Sequence, residues 1–237
     1  MLAAIVFRAV QAGLAVGLIV AVVHQLWTVP LIQRAETYEQ AAATAHDHGA
    51  GPAGHEHDDG GWKPAEGFER LAFTAAGDIL TAIGFALLLS GAYVLSGRAV
   101  AWREGLAWGL AGFAAFALAP SLGLPPELPG MPATALGPRQ IWWLATAALT
   151  AAGLALLFLH RRPWSVALAI LLIAAPHLWG GPSPATQASV VPVSLWRSFV
   201  IAATATNLLS WLLLGALTGY LHQRDARRGT RAIEAQL

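Results

Sequence analysis

The stretch LAFTAAGDILTAIGFALLLSGAYVL, residues 71–95, decides the fold class of this chain. Asp78 is the single charged residue in it. A helix of this length crosses the hydrocarbon core of a bilayer, which requires about 20 mostly apolar residues. Further runs of the same kind lie at residues 5–29, 105–122, 141–159 and 196–221. The sequence therefore predicts an all-α, polytopic helical membrane protein that forms a single membrane domain over residues 1–237.

The composition supports this class. Only 11% of the residues are charged and 56% are hydrophobic, whereas a soluble domain has roughly 25% charged residues. Lipid must therefore cover most of the surface. Cysteine is absent, which excludes disulfides, thiolate metal sites and cysteine nucleophiles. The apolar run after Arg8 has no small-residue cleavage site at its end, so we interpret it as a retained helix.

The number of spans depends on a short run, Trp164 to Trp179. Lys and Arg near span ends mark the cytoplasmic side of a membrane. With six spans, nine basic residues share the side of both termini and five lie on the other side. We therefore expect about six transmembrane helices, with both termini and a basic tail, residues 222–237, in the cytoplasm. Five spans remain the alternative, because the short run could instead be re-entrant.

The longest polar segment, residues 33–70, lies between the first two spans and is predicted to be a flexible, outward-facing loop. Eight of the thirteen acidic residues and four of the eight histidines fall in it. Imidazole and carboxylate ligands suit divalent transition metals, and such tracts are typical of metal binding. The candidate ligands are His46, His48, His55, His57, Asp58 and Asp59. The alternative is an acidic linker whose histidines are incidental.

Three polar residues inside the spans are further candidates: His24, Asp78 and His177. Ionisable groups in hydrocarbon are costly and by default indicate a functional site. Counted from the span ends, all three lie at one depth in the outer half of the membrane, where they could form an entry site for a divalent ion. Alternatively, the histidines hydrogen-bond neighbouring helices and Asp78 is a structural ion-pair partner.

Other polar and small residues have weaker signals. Glu36 and Glu39 could relay an ion toward His24, although a solvated extension of the first helix explains them equally well. Asn207 forms a polar patch in the last span with Thr204, Thr206 and Ser210, which could join helices or line an ion path. The pairs Gly13/Gly17 and Gly105/Gly109 match the small-xxx-small pattern of close helix packing.

The motifs that the chain lacks argue against an enzyme. It has no G-x-x-x-x-G-K-[ST] phosphate loop and no H-E-x-x-H helix. In the run His55-Glu56-His57 the histidines are two residues apart, a spacing that cannot share one helical face.

Several motifs together resemble CbtA, a family of bacterial cobalt transporter subunits. They are His24-Gln25-Leu26-Trp27-Thr28-Val29-Pro30-Leu31-Ile32 running into Ala35-Glu36-Thr37-Tyr38-Glu39, then Trp62-Lys63-Pro64 with Gly67-Phe68-Glu69-Arg70, Leu124-Pro125-Pro126-Glu127-Leu128-Pro129-Gly130, and Ala175-Pro176-His177-Leu178-Trp179-Gly180-Gly181-Pro182. The resemblance implies a permease component for cobalt uptake that works with a small single-span partner, CbtB. It makes the positions to test His24, Glu36, Glu39, Glu69, Asp78, Glu127 and His177.

The expected function is therefore uptake of a divalent transition metal, most simply Co²⁺, with Ni²⁺ or Zn²⁺ also compatible with these ligands. The expected partners are the bilayer, the ion and a small protein of the CbtB type. We expect no nucleic acid and no tightly bound cofactor. The alternatives are a membrane-bound metal sensor or assembly factor that moves no ion, and an exporter.

Overall fold

The computed structural model describes residues 2–47, 64–65, 67–160, 162–184 and 188–234. All regular elements among them are helical, which confirms the all-α prediction. The helices are α1 (Leu2–Val23), α2 (Val29–Asp47), α3 (Phe68–Ser96), α4 (Trp102–Phe113), α5 (Ala119–Gly123), α6 (Leu136–Leu159), α7 (Pro163–Trp179) and α8 (Val193–Glu234). Two π-helical segments, His24–Thr28 and Ala114–Leu118, join α1 to α2 and α4 to α5.

The two π-helical segments have the same cause. Each ends two residues before a proline, Pro30 in one case and Pro120 in the other. A proline inside a helix has no N–H to donate, and its ring clashes with the carbonyl four residues before it. The chain relieves the clash with a wider turn, in which Val29 N–H bonds to the His24 carbonyl five residues back. Such π-bulges are frequent at functional sites.

The bundle is built from three antiparallel helix pairs: α1 with α3, α4 with α8, and α6 with α7. Glycines permit the closest approaches, since a Cβ at Gly17 would meet the backbone of Ile79, and one at Gly105 would overlap the carbonyl oxygen of Gly215. Gly13 and Gly109 lie in the same two interfaces. The packing role predicted for the Gly13/Gly17 and Gly105/Gly109 pairs is confirmed.

The first part of α1 and the last part of α8 lie at one end of the bundle, which we call the terminal end. There the Arg8 guanidinium in α1 lies 3.1 Å from His222 Nδ1 and 3.7 Å from the Asp225 carboxylate in α8. The helix α2 and the start of α3 lie at the opposite end, the loop end, where Arg70 pairs with Glu36. An even number of crossings is needed to return the chain to its starting end.

The short helix α7 supplies the last of these crossings before α8. It returns antiparallel to α6, and its His177 ring lies 6.1 Å from the ring of Trp142, near the start of α6. At 1.5 Å per residue its 17 residues extend about 26 Å. Five helical stretches among the described residues are long and apolar enough to span a membrane, and α7 is shorter. The chain therefore makes six passes through the bundle.

The described part of the segment between the first two spans differs from the predicted flexible loop. The first helix continues past Pro30 to Asp47, because residues 35–45 are rich in Ala, Glu and Gln, which favour helix. The solvated extension considered for Glu36 and Glu39 is therefore the observed arrangement. His48, His55, His57, Asp58 and Asp59 lie outside the described residues, and only the backbone is described at His46.

A small second core closes the loop end. Leu128, from the proline-rich connection before α6, is buried against Ala35 and Val191. The indole N–H of Trp196 donates to the Pro126 carbonyl at 2.9 Å, which fixes this connection to α8. The connection is not helical between Leu124 and Ala135, as its prolines predicted.

Candidate metal site within the helix bundle

His24 and Asp78 form a close polar pair within the bundle. His24 Nδ1 lies 2.9 Å from Asp78 Oδ2, and the side chains are 26% and 16% exposed. The contact follows from local structure: the close packing at Gly17 and Ile79 aligns α1 with α3, and the π-helical turn begins at His24. The sequence analysis placed His24 and Asp78 at a similar depth, and the structure brings the two side chains into contact, as both the ion-site hypothesis and the ion-pair alternative require.

The pair has a defined hydrogen-bond chemistry. When Asp78 is ionised and His24 is neutral, the carboxylate can only accept, and Nδ1 of His24 is then the donor in this contact. This tautomer leaves Nε2 with a lone pair. Metal-bound histidines commonly donate their other ring N–H to a carboxylate, which orients the ring and raises its basicity. In this arrangement Nε2 of His24 is the atom available to a cation, and the Asp78 carboxylate accepts from Nδ1 and orients the ring.

A small cavity of about 100 Å³ lies beside the pair, between α1, α3 and α8. Its polar lining comprises His24, Asp78, Thr81, Thr206, Asn207 and Ser210. Val20, Ala82, Phe85 and Trp211 supply the apolar lining. A cavity with one carboxylate, one imidazole and several neutral oxygens is suited to a divalent cation.

A larger cavity of about 350 Å³ lies next to the first, between the α4–α5 helix, α6 and α8. Pro125, Pro126 and Arg139 line it toward the loop end, and Asn207 lines both cavities. The Arg139 guanidinium lies 3.2 Å from the Glu127 carboxylate, so the charge of this arginine is compensated locally.

His177 is not part of the His24–Asp78 pair. It packs on Trp142 in the α6–α7 hairpin, whereas α1 and α3 pair with each other and with α8. Among the described residues, no three His, Asp or Glu side chains are grouped closely enough to hold one metal ion. The expected convergence of His24, Asp78 and His177 is therefore not formed in this structure, because equal depth in the membrane does not fix the lateral position of a helix.

The carboxylates considered as relays have other contacts at the loop end. Glu36 accepts two hydrogen bonds from the Arg70 guanidinium, at 2.6 and 3.2 Å. Glu69 accepts from the backbone N–H of Ala65 and so connects the first turn of α3 to the residues before it. Glu127 pairs with Arg139, as described above. These contacts connect helices and loops, and they give Glu36, Glu69 and Glu127 a structural role.

Glu39 lies beside Gly130 of the proline-rich connection. A side chain at Gly130 would approach Glu39 Cβ to 3.3 Å, so α2 and this connection are in close contact. The contact places Glu39 at the rim of the loop end, about four helical turns along the chain from His24.

Among the polar residues that line the smaller cavity, Thr81 is the one that the sequence analysis did not identify. Thr81 lies three positions after Asp78, so the two side chains share one face of α3. The three-residue spacing between Asp78 and Thr81 could have predicted that both side chains lie on the same side of the helix. Thr206 and Ser210 were recognised as part of a polar patch with Asn207, but only the packing of α8 against α1 and α3 brings that patch to Asp78.

A comparison with family models identifies a match to the family described as "Probable cobalt transporter subunit (CbtA)", over residues 2–223. No curated protein and no solved structure matches the chain.

Proposed function

We propose a function for this chain on the basis that it belongs to the CbtA family of probable cobalt transporter subunits. The chain is the membrane permease component for uptake of a divalent transition metal. Cobalt is the first candidate substrate. The His24–Asp78 pair inside the bundle is where the ion binds during its passage.

The observation that carries this proposal is the 2.9 Å contact between His24 and Asp78 beside a cavity enclosed by three helices. A carboxylate in a membrane bundle is costly unless a cation or an imidazolium compensates its charge. The imidazole of His24 is the partner in the present structure. A divalent cation bound at Nε2 of the imidazole would add positive charge to the pair, and Asp78 would hold the ring in place through Nδ1.

The orientation follows from the charge distribution. The terminal end carries more basic residues than the loop end, and the basic side of a membrane protein faces the cytoplasm. In a bacterial inner membrane the loop end would therefore face outward. The His- and acid-rich segment after α2 would collect the ion there, and the cavities described above would receive it.

The family description calls these proteins subunits, and a partner is accordingly part of the proposal. The partner is a small single-span protein of the CbtB type, as the sequence resemblance implies. Its proposed role is delivery of the ion to the outward-facing segment.

Uptake of radioactive cobalt by proteoliposomes containing this chain, with and without the partner, tests the proposal. We expect Asp78→Asn and His24→Asn to reduce uptake at least about tenfold, because His24→Asn removes the imidazole ligand and Asp78→Asn removes the carboxylate that orients it. His160→Asn is the matched control, since His160 is exposed at the terminal end, away from both cavities. Unchanged uptake by the Asp78→Asn variant would refute the intramembrane site.

The same preparation separates the alternatives. A metal sensor or assembly factor would bind cobalt and move none into the liposomes, even with its partner present. An exporter would make cells sensitive to the metal when the gene is lost, whereas loss of an importer would deprive them of it. Competition by nickel and zinc would rank the substrates, because imidazole and carboxylate ligands accept all three ions.

A further inference from the structure

We infer that α8 completes the ion site: the Thr206 hydroxyl is a neutral oxygen ligand of the cation, and Asn207 forms the passage from the larger cavity to it. The inference rests on the proposed transport function and extends it from the His24–Asp78 pair to the opposite wall of the cavity.

Thr206 is the first support. Its side chain is 1% exposed and lines the smaller cavity, and its hydroxyl has no hydrogen-bond partner among the described residues. A helical threonine usually donates to the carbonyl four residues before it, as Thr28, Thr74 and Thr218 do here. A buried hydroxyl without a hydrogen-bond partner lowers the stability of the folded chain. A cation coordinated by the hydroxyl oxygen would remove this cost.

The position of this hydroxyl relative to the charged pair is the second support. The cavity is bounded by His24 and Asp78 on one side and by α8 on the other. Thr206 therefore lines, from α8, the same cavity that the pair lines from α1 and α3. Divalent ions in such sites combine charged ligands with neutral oxygens, which replace the water that the ion gives up.

Asn207 is the third support. It is the residue of α8 that lines both cavities. Its Nδ2 donates to the Ala203 carbonyl at 3.1 Å, so the amide atom suited to a cation is Oδ1. An ion moving from the larger cavity to Asp78 would pass this oxygen. Asn207, an exposed residue, therefore lies at the boundary between the two cavities.

The chain offers a matched control for Thr206. Thr150, in α6, is also buried at 3% exposure with an unpartnered hydroxyl among the described residues, but it lines neither cavity. Replacing either threonine by valine removes a hydroxyl and keeps the shape of the side chain. An effect of losing a buried hydroxyl on folding should appear in both variants. An effect on cobalt binding should appear only in the Thr206 variant.

The experiment measures the dissociation constant of Co²⁺ by titration of the purified full chain, and the KM of cobalt uptake in proteoliposomes. We expect Thr206→Val to raise both about tenfold, as loss of a ligand to a charged species does, while Thr206→Ser and Thr150→Val stay within about twofold of wild type. Equal values for Thr206→Val and Thr150→Val would overturn the role of Thr206.

For the passage, we expect Asn207→Leu to lower the maximal rate of uptake at least about tenfold, because an apolar side chain of similar size dehydrates the connection. A rate equal to that of wild type would overturn this part. Asp78→Asn in the same assays distinguishes a failure of this inference from a failure of the proposed transport site. If it abolishes binding while Thr206→Val does not change it, the proposed transport site stands and this inference fails; if Asp78→Asn binds cobalt like wild type, the transport site itself fails.

Discussion

Substitution of Gly215 by alanine tests the packing that brings α8 to the ion site. A Cβ at this position would overlap the carbonyl oxygen of Gly105 and lie 2.9 Å from the Cα and N atoms of Gly109. Ordinary van der Waals contact begins at 3.4 Å. The backbones of α4 and α8 cannot rotate away as a side chain would, so the two helices would have to separate by about 1 Å.

The expected cost follows from this overlap. Inserting a methyl group into a closely packed interface lowers the free energy of unfolding by about 1–3 kcal/mol. Alanine also favours helix over glycine by roughly 0.5–1 kcal/mol, which offsets part of the loss. Gly84→Ala is the matched control, because a Cβ at Gly84 would have no neighbouring atom within 4 Å. Subtracting one variant from the other removes the helix-propensity contribution and leaves the steric cost.

Reversible unfolding of the purified chain in mixed detergent micelles, followed by tryptophan fluorescence, measures this difference. We expect Gly215→Ala to be less stable than Gly84→Ala by about 1–3 kcal/mol. Independent substitutions deviate from additivity by up to about 0.5 kcal/mol. A difference in the free energy of unfolding smaller than this would show that α4 and α8 do not approach as described. The reasoning from glycine spacing to helix packing would then fail at this interface.

Three further predictions concern topology and the loop end. In this cysteine-free chain, single cysteines at Gln40 and Arg227, both exposed, should react with an impermeant thiol reagent from opposite sides of the membrane; labelling from one side would refute the six-pass arrangement. Trp142→Phe should lower the free energy of unfolding by about 1 kcal/mol, because the indole N–H donates at 3.2 Å to a carbonyl of α5, and an unchanged unfolding midpoint would contradict it. Glu36→Gln should lower the free energy of unfolding by about 1 kcal/mol or less, because it weakens the partly exposed ion pair with Arg70. The KM of cobalt uptake should stay unchanged, and a raised KM would support the hypothesis that Glu36 is an ion relay.

Helix identity and approximate length could be predicted because both depend on local composition. The span predicted at residues 71–95 corresponds to α3, Phe68–Ser96, and the span predicted at residues 141–159 covers the greater part of α6, Leu136–Leu159. A transmembrane segment must satisfy its own backbone hydrogen bonds, so apolar length alone specifies a helix. Boundaries in polar sequence were less accurate, since the helix after Pro30 depends on alanine-rich composition and not on lipid.

The sequence by itself determined that the chain is a helical membrane protein, that its glycine pairs pack helices, and that His24 and Asp78 are costly polar groups at a similar depth. The tertiary structure alone decided which of these groups meet. Depth is set by distance along each helix, but lateral position is set by which helix faces pack, and that depends on contacts distant in sequence such as Gly17 with Ile79 and Gly105 with Gly215. Those contacts place His24 against Asp78, keep His177 in the α6–α7 hairpin, and bring Thr206 to the cavity.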